Sequence, residues 1–175
     1  MKVVGLVAAK ENSNRFPGKN YFELDGKPMF MHAAKPLLDS KLVDKVYVIT
    51  DSPKIISYCE DNKIGVIRRP KNATRDEDKL ISILRFGYYN LDQEYDAAIT
   101  VMANCPGYTV QDIDKGLNLF RKHNLKEVRG YDLSGVENGM LILDKSILES
   151  NRDISYYVGG IVTSAKEIHY KSELE

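Results

Sequence analysis

Short apolar runs rich in β-branched residues alternate with stretches of helical length along the first two-thirds of the chain, and this alternation constrains the fold most. Val3–Val7, Lys45–Thr50, Gly65–Ile67 and Ala97–Met102 read as strands. Helical patterns lie between and after them, at about Pro28–Ser40, Lys54–Asn62, Lys79–Leu91 and Val110–His123. Strands alternating with helices predict βαβ units and a mostly parallel sheet. The strands are near-continuously apolar, as expected when both sheet faces are covered. Two helix starts are marked. Ser52 stands as an N-cap before Pro53, and Thr109 as a second, with Asp112 placed to support the N-terminus.

After about His123 the pattern changes. Gly130, Gly135 and Gly139 punctuate a shorter segment, and Met140–Leu143 reads as another strand. Tyr156–Thr163, with Gly159-Gly160 inside it, reads as a further strand with a bulge. No internal repeat, low-complexity tract or linker interrupts the pattern, so residues 1–175 are expected to form one domain.

Composition narrows the function classes. The 25 Lys plus Arg balance 25 Asp plus Glu, so a strongly basic face for nucleic acid is not expected. No apolar run approaches the length of a membrane span, so no membrane partner is expected. Val3–Ala9 behind Lys2 is too short for a signal peptide and is followed at once by charge, which makes a cytoplasmic location the default. Cys59 and Cys105 make no disulfide framework, and His32, His123 and His169 are scattered without metal-type spacing. Cys105 has no histidine in an obvious partner position, so it reads as a small buried residue and not a nucleophile. Asn72-Ala73-Thr74 fits a glycosylation sequon, but there is no secretory signal to support it.

The loop after the first strand concentrates the chemistry. It packs the small residues Ala8 and Ala9, the cations Lys10, Arg15 and Lys19, and the amides Asn12, Asn14 and Asn20 into one segment that also holds Ser13 and Pro17-Gly18. Backbone N–H groups of a tight loop converge on phosphate oxygens, and Lys and Arg neutralise the charge. The plainer alternative is an exposed, polar strand-to-helix loop. Ligands of such sheets sit outside the C-terminal ends of the strands. That rule gathers this loop with Thr50-Asp51, Arg68-Arg69-Pro70 and Ala103–Tyr108 at one rim.

The same residues resemble a known family. Ala9, Ser13, Pro17, Lys19 and Asn20 match a first loop of the form A-R-x-x-S-K-x-x-P-x-K-N, with Lys10 at the Arg position and Asn14, next to Arg15, at the Lys position. Asp25-Gly26-Lys27-Pro28, Val48-Ile49-Thr50-Asp51, Arg69-Pro70 followed by Asp76, and Asn138-Gly139 match further segments. The chain thus resembles the sugar-acid cytidylyltransferases, the acylneuraminate cytidylyltransferase and related CMP-sugar synthetase group. The resemblance implies an α/β, three-layer nucleotide-diphospho-sugar transferase (Rossmann-like) fold. It also implies transfer of CMP from CTP to a sugar or sugar acid with release of pyrophosphate.

Catalysis of nucleotidyl transfer is mostly positioning plus cationic stabilisation. Lys10, Arg15 and Lys19 are the candidate catalytic cations. Ala8, Ala9, Asn12, Ser13, Asn14, Asn20, Arg69 and Asp76 are candidates for binding the nucleotide, with Arg69 at the base edge. Asn104, Asn138 and Lys171 are weaker candidates for the sugar-type substrate. The expected partners are CTP or another nucleotide and a sugar-type small molecule, with a homo-oligomer left open.

The resemblance breaks at the metal. In the family two Asp of an I-D-I-D-T-E-x-D-like motif hold Mg²⁺, and here His169 and Lys171 align with those positions. The metal ligands are therefore left unassigned, with Asp51, Glu173 and Glu175 as weak candidates. The Q-P-T-S-P-L-R stretch after the fourth strand is replaced by Met102–Tyr108, and the segment before Asn138 is shorter than in the family. These departures motivate a second reading, a relative that binds nucleotide without turnover. A third reading is a different transferase of the same broad fold.

Overall fold

A computed structural model describes residues 1–13, 15–70, 79–150 and 157–174. Nine strands are described: β1 (Val3–Ala8), β2 (Glu23–Leu24), β3 (Lys27–Pro28), β4 (Lys45–Thr50), β5 (Gly65–Arg68), β6 (Ala97–Val101), β7 (Glu127–Tyr131), β8 (Glu137–Asp144) and β9 (Val158–Val162). The helices are α1 (Met29–Asp39), α2 (Pro53–Asp61), α3 (Leu80–Tyr89), α4 (Val110–Lys122) and α5 (Lys145–Leu148).

Seven strands form one sheet in the order β5-β4-β1-β6-β8-β7-β9, and β2 and β3 pair as a small separate hairpin. The pairings β5–β4, β4–β1, β1–β6 and β7–β9 are parallel, while β6–β8 and β8–β7 are antiparallel. The sheet is mostly parallel, and its antiparallel element is β8, a strand inserted next to β6.

Strand alternation sorts side chains into two cores. Val3, Val7, Val46, Val48, Ala97, Ile99 and Val101 meet Phe30 and Leu37 of α1, Ile55 of α2 and Leu117 of α4. Val4, Leu6, Tyr47, Ile49 and Ala98 point to the other face, against Leu84 and Tyr88 of α3 and Leu148 of α5. Helices on both faces make three layers. They also explain why β1, β4 and β6 carry apolar residues at consecutive positions.

Thr109 and Asp112 form a reciprocal capping box at the start of α4. Ser52 stands at the N-cap of α2, but its side chain makes no cap bond; its N–H donates to Thr50 Oγ1 at 3.0 Å.

Two expectations for the last third are corrected. Gly130 does not punctuate a loop; it lies inside β7, because a Cβ there would run into the Tyr108 hydroxyl and the Asn138 side chain. Gly159-Gly160 does not mark a bulge. The β7–β9 register is unbroken there, and the two glycines admit the Leu125 and Tyr131 side chains. The irregularity lies instead in β7 against β8, between Arg129 and Tyr131. The Asn72 sequon lies outside the described residues. Among the described residues no helix is long and apolar enough to cross a membrane.

Candidate active site

The chain leaves β1 at Ala8 and is tied down at once. Ala9 N–H donates to Ile49 O at 3.0 Å, continuing the pairing with β4, and Glu11 N–H donates to Asp51 Oδ1 at 2.7 Å. Asp51, weighed from the sequence as a metal candidate, thus acts as an acceptor that fixes the loop. Gly18 takes φ +71°, a left-handed conformation that favours glycine, and this starts the 3-10 turn Lys19–Tyr21. Below the turn Phe16 is buried and packs edge-on against Phe22, with ring centroids 5.3 Å apart. Asn20, also buried, donates from Nδ2 to Lys10 O at 2.8 Å and closes the loop on itself.

This closure turns the loop onto a cavity of about 430 Å³ at the C-terminal rim of the sheet. The loop contributes Ala8, Ala9, Lys10, Ser13, Arg15, Lys19 and Asn20 to its walls. Arg69 joins from the end of β5, where its N–H donates to Thr50 O at 2.8 Å. Met102, Ala103 and Asn104 follow β6, Leu80 and Ile83 come from α3, and His169 comes from the C-terminal segment. One part of the lining is cationic and another is apolar. A ligand with a polyanionic end and a flat, weakly polar end fits that division.

The C-terminal segment is held against the cavity through one residue. Ile168 N–H donates to Asn104 O at 2.7 Å. Its carbonyl accepts from Asn104 Nδ2 at 3.1 Å and from Lys19 Nζ at 3.3 Å. Lys19 is half-buried, and its pKa is lowered from 10.5, first by that burial and then by the positive charge of Arg15, with Lys10 adding to it. Glu167 and Glu173 oppose the shift. Like charges are thus concentrated at this wall, as a polyanion site requires.

Not every residue read from the sequence reaches the cavity. Asn12 is exposed and does not line it, and Asn14 and Asp76 lie outside the described residues. Lys171 is exposed, with its ammonium 5.9 Å from the centre of the Phe22 ring. Asn138 is 2% exposed and faces inward: Nδ2 donates to Thr163 Oγ1 at 2.7 Å and to Ala165 O at 3.1 Å, while Oδ1 accepts the Tyr108 hydroxyl. Its carbonyl accepts the Cys105 thiol at 2.8 Å. Asn138 thus lies outside the cavity lining, and its polar atoms tie β8 to the loop after β6 and to the segment after β9. Burial, with Glu167 adding to it, pushes the Cys105 thiol up to about 12, which fits a structural role.

Leu80, Ile83 and Met102 were not anticipated from the sequence. Leu80 and Ile83 lie three apart on a helix, a spacing that signals core, and only the tertiary arrangement sets them beside the rim loops.

A family model described as cytidylyltransferase matches residues 4–153. The chain belongs to the cytidylyltransferase family. The chain is 27% identical over 127 residues to a 3-deoxy-manno-octulosonate cytidylyltransferase of Christiangramia forsetii, covering 73% of this chain and 49% of the relative. It is 29% identical over 123 residues to an 8-amino-3,8-dideoxy-manno-octulosonate cytidylyltransferase of Shewanella frigidimarina, covering 70% and 49%. The chain therefore spans about half the length of the curated relatives it matches. Among solved structures, CMP:2-keto-3-deoxy-manno-octonic acid synthetase complexed with CTP aligns with a TM-score of 0.81 at 16% identity, over 99% of this chain and 95% of that one. A Mycobacterium tuberculosis protein in complex with manganese aligns with a TM-score of 0.69 at 7% identity, over 93% and 89%. These likenesses establish the nucleotide-diphospho-sugar transferase (Rossmann-like) fold.

Proposed function

We propose that this cytidylyltransferase chain binds CTP in the rim cavity and transfers CMP to the hydroxyl of a sugar acid of the 3-deoxy-ulosonic type, releasing pyrophosphate. The observation that carries the reading is the convergence of Lys10, Arg15, Lys19 and Arg69 on one cavity beside the apolar Leu80, Ile83 and Met102. The relatives matched by this chain are named for ulosonic acids, which supports this acceptor class. A cytoplasmic location, where CTP is available, belongs to the same reading.

In the reaction the acceptor oxygen attacks the α-phosphorus in line. The bond to the bridging oxygen of the β-phosphate breaks, pyrophosphate leaves with the negative charge, and the hydroxyl proton passes to solvent. Lys10, Arg15 and Lys19 bind the phosphates and stabilise charge that grows on them during transfer. Asn20 and Ser13 lie within the same wall, and Asn20 holds the loop closed through Lys10 O. Arg69 addresses the base edge, with Leu80 and Ile83 as an apolar surface beside it. Asn104 and Lys171 are the remaining candidates toward the acceptor. Asn104 lines the cavity and Lys171 does not, so Asn104 is the stronger of the two.

The test is pyrophosphate release by the pure chain with CTP and a panel of 3-deoxy-ulosonic and nonulosonic acids. The reading expects release with at least one acceptor and none without acceptor. CTP binding with silence across the panel would instead favour the nucleotide-binding relative without turnover.

A further inference from the structure

The resemblance implies a divalent cation at the nucleotide phosphates, but the walls of this cavity do not fit one held by carboxylates. A hard cation takes oxygen ligands, carboxylates foremost. Among the described residues that line the cavity there is no Asp or Glu, whereas Lys10, Arg15, Lys19 and Arg69 are cations. Among the described residues no group of three or more His, Cys, Asp or Glu could hold a metal. The nearby acids have other commitments. Asp51 accepts the Glu11 amide at 2.7 Å, and Glu173 accepts the His169 and Tyr170 amides at 2.6 and 2.7 Å. Glu167 lies 3.2 Å from His169 Nε2.

At the two positions where the resemblance places metal-binding Asp, the replacements differ. Lys171 faces the Phe22 ring outside the cavity. His169 lines the cavity with its ring braced by Glu167. An imidazole there carries no fixed negative charge, whereas a carboxylate would repel a polyphosphate unless a metal intervened. The pKa of Lys19 is lowered first by burial and then by the like charge of Arg15 and Lys10, and a bound polyanion would relieve that second part.

We infer that this site neutralises its polyphosphate with the protein's own cations, Lys10, Arg15 and Lys19, beside a His169 that stands where the resemblance has an acid, and takes the anion without a carboxylate-held divalent ion. The inference rests on the cavity being a nucleotide phosphate site, as proposed above.

Calorimetric titration with inorganic tripolyphosphate, at one ionic strength, in EDTA and then in excess Mg²⁺, tests it directly. The probe has no base, so CTP binding no tighter than tripolyphosphate would defeat the cytidine reading while leaving this inference standing. The expected result is saturable binding in EDTA, unchanged within about threefold or weakened by Mg²⁺, which takes charge from the ligand. No binding in EDTA, or a gain of about tenfold or more on adding Mg²⁺, overturns the inference. His169→Asp is the second arm, and its half-exposed position spares the fold, which thermal unfolding checks. That variant should lose about tenfold in EDTA and regain affinity with Mg²⁺. Wild-type binding by the variant in EDTA removes His169 from the account.

Discussion

The two walls of the rim cavity differ in kind. The wall built from the loop after β1 and from Arg69 is cationic and anchored by its own backbone, through Asn20 to Lys10 O and Asp51 to Glu11 N–H. The wall built from Met102–Asn104 and His169 carries no acid, and its polar atoms converge on the backbone of Ile168. The first wall matches what the family's chemistry asks of a triphosphate site. The second departs where that chemistry asks for metal ligands. On the reading proposed above, phosphate binding persists in such a site while the neutralising charge comes from the protein and not from a metal.

The comparison is broken most directly by replacing one lysine on the cationic wall and one outside the cavity. Lys19→Ala removes a half-buried ammonium from the cationic wall. Charge-assisted hydrogen bonds contribute about 1.5–3 kcal/mol, so CTP affinity should fall by about 10- to 150-fold. Lys171→Ala removes an exposed ammonium that sits over Phe22 outside the cavity, and should change affinity by less than about twofold. Equal losses in the two variants would refute the division.

The pH dependence sharpens the same point. Lys19 is held below the usual lysine value of 10.5 by burial and by Arg15 and Lys10. Only its charged form attracts phosphate, so CTP affinity falls as pH rises through the depressed pKa. Binding in that range takes up a proton. Lys19→Arg keeps its charge and should move the fall to higher pH, seen in Kd measured from about pH 7 to about pH 10.

Asn138→Ala asks whether a residue outside the cavity acts only through the fold. It leaves the buried Tyr108 hydroxyl and Thr163 Oγ1 without their Asn138 partner. The expected cost is about 2–3 kcal/mol, or on the order of 5–10 °C in Tm, with CTP affinity of the folded protein unchanged. A loss of affinity at constant Tm would return Asn138 to the substrate. The smallest effect is expected at Thr100, whose buried Oγ1 has no hydrogen-bond partner among the described residues. Thr100→Val should raise stability by about 1 kcal/mol in denaturant unfolding, without altering binding.

The legibility of the two walls follows the same divide. The first was readable because its signals are local: a β-branched strand, then small residues and cations spaced along one loop. β4 and the β1 core faces were readable for the same reason, since period and composition agree. β7 was not readable, because Glu127, Arg129 and Gly130 answer to partners far away in sequence. Glu127 and Arg129 form an ion pair, Arg129 also pairs with Glu137, and Gly130 yields space to Tyr108. Asn138 matched a motif yet lies outside the cavity lining, because the direction of an amide is set by packing that the motif does not contain. Leu80 and Ile83 followed a core pattern and became part of the cavity through where α3 begins.

The rim cavity is proposed above as a cytidine nucleotide site. Calorimetric titration of the wild-type chain with CTP and with UTP, at one salt concentration and neutral pH, tests it most directly. The two bases differ in a hydrogen-bonding group at the edge assigned to Arg69, so CTP is predicted to bind about tenfold tighter or more. Equal affinity for both nucleotides, or no saturable binding of either, would contradict the account.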